Sequence, residues 1–338
     1  MDKKLIYEPN VLHPDLALMM GEYMDGKPVG EDARVPEIKE RFSWKKSFVN
    51  CWTGNPNVGK STFLMFMALM KAKIDGWKWG VWSKEMISSH KYKDKVYLSS
   101  SDIFDDLVYM LTGKNPYRHL AGKFGIISKE EYITAVEWLQ KHFIVINPPD
   151  AKYSTLIENF KYLAEYYGTD GIILDPWKNV RLDINTPGFA TKDDLLHEAF
   201  DIIKDFALMY DQTANIIAHP KSLLSHENKD GTAKVVTAFD LAGGAAWYNS
   251  MDGIYSIHRP YINTNPKDDK CNETWFWNLK QRKQHLVGKR GVYDMITYKE
   301  RTNRYYFNGF CPLDGEALRE NMTPLEIMFN APKEEIPF

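Results

Sequence analysis

One stretch constrains the fold of this chain more than any other: WTGNPNVGKST, residues 52–62. Inside it lies Gly54-Asn55-Pro56-Asn57-Val58-Gly59-Lys60-Ser61, a complete GxxxxGKS, with Thr62 following. In that pattern the glycines let the backbone wrap its N–H groups round a polyphosphate, the lysine reaches the outer phosphates, and the serine hydroxyl ligates Mg²⁺. The flanks fit such a loop. Residues 47–52 (SFVNCW) read as a short buried strand, and residues 62–73 (TFLMFMALMKAK) as an apolar helix whose N-terminus turns its positive dipole end toward the phosphates. A glycine-rich turn with a chance lysine would need neither neighbour.

Beyond the loop, strand and helix patterns alternate. Residues 80–83 (GVWS), 143–146 (FIVI), 171–175 (GIILD) and 215–218 (NIIA) read as strands. Residues 156–167 and 193–210 place apolar side chains at helical spacing, and 101–142 is helical with a loop at 113–125. The alternation predicts an α/β fold: a mostly parallel, twisted sheet with helices on both faces. Residues 253–258, 274–279, 294–298 and 304–307 read as C-terminal antiparallel strands. Residues 1–43 mix Pro, Gly and both charge signs and read as an N-terminal arm that packs on a neighbouring subunit through an apolar patch at 16–20. Residues 44–310 then form the main domain and 311–338 a C-terminal tail.

Composition narrows the function. With 338 residues and a formal net charge of −2, the chain can bury a large core but is no polycation, so any nucleic-acid contact must come from local loops. Cys51, Cys271 and Cys311 form no CxxC pair, which argues against structural zinc and fits a reducing, cytoplasmic setting. No apolar run reaches the length of a membrane span, so no membrane role is expected.

Ligands of parallel α/β sheets bind at the carboxyl ends of the strands, and the informative residues fall there. Asp175 closes an apolar strand and is followed by Pro176 and Trp177, which disfavours a helix-capping role and suits a ligand of Mg²⁺, direct or through water. Glu85 follows the strand after the phosphate-loop helix, where a carboxylate can orient and deprotonate an attacking water; a solvated surface glutamate is the rival reading. His219 ends the strand IIA and precedes Pro220, placing an imidazole where it can hydrogen-bond a terminal phosphate, although a lone histidine is more often structural.

Five blocks in this order resemble the ring-forming replicative helicases of the DnaB type, above all the helicase halves of phage primase/helicases and Twinkle. They are the phosphate loop, WSKEM, IILDPW, IIAHPK, and DLAGGAAWYNSMDGIYSIHR followed by NLKQR, spanning residues 44–307. The resemblance implies a RecA-like P-loop NTPase of phage or mobile-element type, using ATP or another NTP with Mg²⁺ to unwind DNA. It implies a homo-oligomeric ring, a hexamer, that translocates on single-stranded DNA and works beside a separate primase or polymerase, in the host cytoplasm if phage-encoded. It assigns catalysis to Lys60, Glu85 and His219, metal binding to Ser61 and Asp175, and a trans-acting pair for the neighbour's nucleotide to Lys280 and Arg282 of Lys280-Gln281-Arg282. It also implies that the loop after His219, with Lys221, Lys229 and Lys234, grips single-stranded DNA, where composition alone favours a solvated charged loop. Most rings of TWFWNL and RYYFNGF alternate with period two and are expected in the core rather than stacked on bases.

Two departures from the family pattern stand out. Members often carry Gln where this chain has Asn249 after Tyr248, which puts the coupling of nucleotide state to DNA in question. The first 43 residues have neither the length nor the Cys spacing of a primase or helical collar. Two other classes stay open: a recombination or annealing ATPase that forms filaments on single-stranded DNA, and a metabolic P-loop kinase, which would need an acceptor pocket or lid.

Overall fold

A computed structural model of the chain describes residues 14–26, 29–92, 95–117, 125–184, 191–221, 227–263 and 269–313. Its first half runs α1 (Pro14–Asp25), β1 (Glu31–Asp32), β2 (Ser43–Trp44), β3 (Val49–Thr53), α2 (Lys60–Asp75), β4 (Trp79–Ser83), β5 (Ser88–Tyr92), β6 (Lys95–Ser99), α3 (Ser101–Thr112) and α4 (Lys129–His142). Its second half runs β7 (Phe143–Val145), α5 (Tyr153–Tyr167), β8 (Gly171–Asp175), α6 (Lys192–Met209), β9 (Thr213–Ile217), α7 (Gly244–Ser250), β10 (Gly253–His258), β11 (Glu273–Gln281), β12 (Gly291–Lys299) and β13 (Arg304–Phe307).

A nine-stranded sheet organises these elements in the order β13-β12-β11-β10-β3-β9-β8-β4-β7. From β10 to β7 every pairing is parallel, so β3, β9, β8 and β4 deliver the phosphate loop, His219, Asp175 and Glu85 to one carboxyl edge. From β10 to β13 the pairings are antiparallel. This is the mixed sheet that the sequence pattern predicts.

The strand residues explain why both faces are covered. Trp52, Val81, Ile173 and Ile217 join a buried cluster with α2, α3 and α4, while Cys51, Trp82, Ile172, Leu174 and Ile216 join another with α5, α6 and α7. Successive side chains point to opposite faces, so runs of uninterrupted apolar residues are what a doubly covered parallel strand requires. Phe276, Tyr305 and Phe307 are fully buried against Phe63 and Phe66, so these rings serve packing. Serine and threonine start two of the covering helices: Ser128 and Glu131 form a capping box on α4, as do Thr191 and Asp194 on α6.

The N-terminal segment differs from a free arm over its second half. β1 pairs with β2, and Ala33, Val35, Ile38, Phe42 and Trp44 are each at most 1% exposed, in the cluster around α2. Arg34 pairs with Asp75 at 2.5 Å, and Asp75 also accepts from Lys71. The domain boundary expected at residue 43 therefore falls inside a packed segment. Its apolar residues are few and spaced among charges, which hides their burial from a reading of composition. α1 is different: Leu16, Leu18, Met19, Met20, Tyr23 and Met24 are all exposed. The hairpin β5–β6 and the short α7 are not expected from the sequence pattern, and residues 314–338 of the tail lie outside the described residues. No helix among the described residues is long and apolar enough to cross a membrane.

Candidate nucleotide site

The loop between β3 and α2 has the geometry of a phosphate cradle. Gly54 has φ +149°, and a Cβ there would overlap the carbonyl oxygen of Ile257; Gly59 has φ +85°, and its Cβ would lie 2.6 Å from the Tyr305 hydroxyl. Both positions thus demand glycine for conformation and for space. Asn57 adopts φ +62°, a conformation that asparagine tolerates better than most residues. Pro56 and Asn57 at the loop tip are exposed, whereas Asn55, Val58 and Lys60 are buried. Ser61 and Thr62, partly buried, open α2 at its positive end.

Lys60 folds back on its own loop, donating to the carbonyl oxygen of Asn55 at 2.9 Å. Burial pulls its pKa down to about 8, a shift that Asp175 and Glu85 oppose and Lys178 reinforces. An anionic phosphate is the partner that such a partly desolvated ammonium lacks.

Asp175 and Ser61, far apart in sequence, meet here. The Ser61 hydroxyl favours the charged form of the Asp175 carboxylate, which accepts from Ser83 at 3.4 Å. Asp175 is 3% exposed, and its Oδ1 is buried without a protein partner. Burial raises its pKa to about 6, with the nearby Glu85 charge adding and Ser61, Lys60 and Ser83 opposing. A buried carboxylate oxygen with no donor, beside a serine hydroxyl, fits Mg²⁺, which takes one or two protein carboxylates and draws its remaining ligands from phosphates and water. Among the described residues there is no cluster of three His, Cys, Asp or Glu side chains able to hold an ion alone.

Glu85 and His219 are also brought together. Glu85 Oε1 pairs with Lys178 Nζ at 2.6 Å, and its Oε2 lies 3.9 Å from His219 Nε2. Burial lowers the His219 pKa to about 4, helped by the positive charges of Lys60 and Lys178 and opposed by Glu85. The imidazole is therefore neutral at physiological pH and able to donate one ring hydrogen bond. Lys178 is a site residue that sequence reasoning misses. Its only signal there is position, three residues beyond Asp175 in a turn leaving the same strand.

Lys280 and Arg282 lie elsewhere. Gln281 pairs with Gly253, and Gly253 with Asn50, so both cations sit at the amino edge of the parallel strands, opposite the phosphate loop of the same chain. Lys280 donates to the carbonyl oxygens of Tyr248 and Met251 at the end of α7, and burial followed by the charge of Arg282 lowers its pKa to about 8. Arg282 pairs with Asp252 at 3.2 Å and donates to the carbonyl oxygen of Asn249. Asp252 is a second feature without a sequence signal: 3% exposed, it also accepts from Lys204 and from the backbone N–H of Val49. Asn249 itself is exposed on this amino edge.

Lys221, Lys229 and Lys234 are exposed, and residues 222–226 between them lie outside the described residues. The return limb of this loop touches the phosphate loop, since Asn55 Nδ2 donates to the carbonyl oxygen of Lys234 at 2.8 Å.

No protein-family model matches the sequence, and no curated protein matches it. Solved structures do. One, an ATPase domain, superposes with a TM-score of 0.67 over 89% of this chain and 99% of that one, at 11% identity. Another, a DnaB-like replicative helicase solved in a study of its interactions with primase, matches with a TM-score of 0.65 over 87% of this chain and 68% of that one, at 12% identity. This chain shares the fold of those two proteins. At such identities the helicase fold is what is shared, and it agrees with the RecA-like architecture that the sequence blocks imply.

Proposed function

We propose that the protein is an ATP- or NTP-driven DNA helicase of phage or mobile-element type that translocates on single-stranded DNA as a homo-oligomeric, hexameric ring. In this reading the phosphate loop holds the triphosphate, Lys60 meets its outer oxygens, and Ser61 and Asp175 hold Mg²⁺, which neutralises phosphate charge. Glu85 accepts a proton from the water whose oxygen bonds to the terminal phosphorus as the bridging P–O bond breaks. His219 donates to the terminal phosphate and reports its loss. Lys221, Lys229 and Lys234 contact the DNA backbone, and exposed α1 packs on the adjacent subunit. A separate primase or polymerase completes the assembly.

The observation that carries this reading is the placement of Lys280 and Arg282. They are separated from their own phosphate loop by the length of β3, about 15 Å at a strand's rise per residue, which supports a role toward a neighbour's nucleotide rather than their own. An arginine acting in trans is worth roughly three to five decades of hydrolysis rate. The test is mixing. Arg282→Ala and Lys60→Ala subunits should each be inactive alone, and hydrolysis should return in mixed rings, where an intact phosphate loop can sit beside an intact arginine. Background hydrolysis at every ratio, in rings shown to be mixed, would remove the trans role.

A further inference from the structure

Lys178 lies on the carboxyl edge, and neither the sequence blocks nor the function proposed above gives it a task. Its backbone is held firmly. Trp177, the preceding residue, packs its ring against Tyr153, Phe200 and Trp247, at centroid distances of 5.8, 5.3 and 5.7 Å. The turn closes with Asn179 N–H on the Pro176 carbonyl and Val180 N–H on that of Trp177. An aromatic anchor on one side thus fixes the point from which the Lys178 side chain reaches Glu85.

The ion pair itself contributes little to the fold. Both side chains are about half exposed, at 51% and 43%, and solvent-screened pairs of this kind are worth little. What it does is orient. One carboxylate oxygen of Glu85 is held at 2.6 Å by Lys178, which leaves the other, Oε2, on the His219 side. A free glutamate at a loop exit would sample several rotamers, and a general base is useful only when one oxygen meets the water along the line of attack.

We propose that Lys178 is a positioning residue for Glu85: its ammonium clamps Oε1 so that Oε2 alone faces the terminal phosphate and its attacking water. The inference rests on the reading of Glu85 as general base. The charge of Lys178 also adds to the downward pKa shift of His219. It therefore also helps keep His219 neutral.

The experiment is steady-state hydrolysis by the full-length protein carrying Lys178→Met, Lys178→Arg, Glu85→Gln, or Lys178→Met with Glu85→Gln. Lys178→Met should lower kcat roughly tenfold to a hundredfold, the effect of misplacing a reacting group by about an ångström, while KM for the nucleotide changes less than about threefold. Lys178→Arg should recover most of the loss, because a guanidinium can hold the same carboxylate oxygen. In the Glu85→Gln background, Lys178→Met should cause no further fall in kcat, whereas a role in folding or phosphate binding would add to the first loss. The inference is overturned by an unchanged kcat in Lys178→Met, by a loss seen mainly in KM, which would make Lys178 a phosphate ligand, or by additive losses in the double variant. Should Glu85→Gln itself turn over normally, the reading of Glu85 fails first and Lys178 has nothing to position.

Discussion

Asn55, the second residue of the phosphate loop, donates its side-chain amide to the carbonyl oxygen of Lys234, 2.8 Å away across 179 positions of sequence. The bond ties the phosphate loop to the return limb of the loop proposed to hold DNA. Asn55 is 5% exposed, and its Oδ1 has no protein partner, so the amide is desolvated and its one bond is correspondingly hard to replace.

If that bond transmits occupancy between the two loops, Asn55→Ala should reduce the ratio of DNA-stimulated to DNA-free hydrolysis, by about threefold or more, since one such hydrogen bond is worth about 1 kcal/mol. The ratio is read from hydrolysis with and without saturating single-stranded DNA. A ratio equal to wild type would place the coupling elsewhere.

Asp175 predicts a conflict between stability and function. Its folded pKa is raised from the ordinary value of 3.8 to about 6, so the contribution of this group to stability is fully present below pH 3.8 and is lost as pH rises through 6. Near pH 7.5 the ionised carboxylate weakens the nucleotide-free fold. Asp175→Asn should therefore stabilise the protein without nucleotide or divalent ions, on the order of 1–3 kcal/mol, while abolishing Mg²⁺-dependent hydrolysis. Urea unfolding at about pH 7.5 checks it, and a destabilised variant would show that the carboxylate is structural.

Lys60 predicts a pH dependence of nucleotide binding. In the free site its pKa is about 8, pulled down by burial, and a bound phosphate raises it again. Binding then takes up a proton at high pH, and Kd should weaken roughly fivefold between pH 8 and pH 9. Calorimetric titration with a non-hydrolysable nucleotide at several pH values measures this. A Kd that stays flat from about pH 7 to about pH 9.5 would mean that the ammonium is already fully formed in the free protein.

Much of this architecture is legible in the sequence because its strands are buried on both faces. GIILD and IIA announce themselves as apolar runs, and β10 and β13 fall at residues 253–258 and 304–307 as the pattern predicts. The phosphate loop is legible for another reason: its glycines answer a local need of the backbone, at Gly54 and Gly59, that any sequence must meet in the same way. Features that depend on distant partners are silent. Nothing in a stretch of mixed charge says that Val35, Ile38 and Phe42 are core residues, because their burial is decided by α2. Nor does LDPWKN say that its lysine meets Glu85, because that contact forms only when β4 and β8 lie side by side, Ser83 against Asp175.

If nucleotide hydrolysis at the proposed Lys60–Asp175–Glu85 site drives separation of DNA strands, strand displacement on a forked duplex with a single-stranded tail will show it. The wild-type protein with ATP or another NTP and Mg²⁺ should release the labelled strand. Glu85→Gln should bind nucleotide and DNA but release the strand on the order of a hundredfold more slowly, the size of a general-base effect. Hydrolysis without strand release under every nucleotide and fork polarity, or assembly of filaments that only anneal strands, would rule out a helicase.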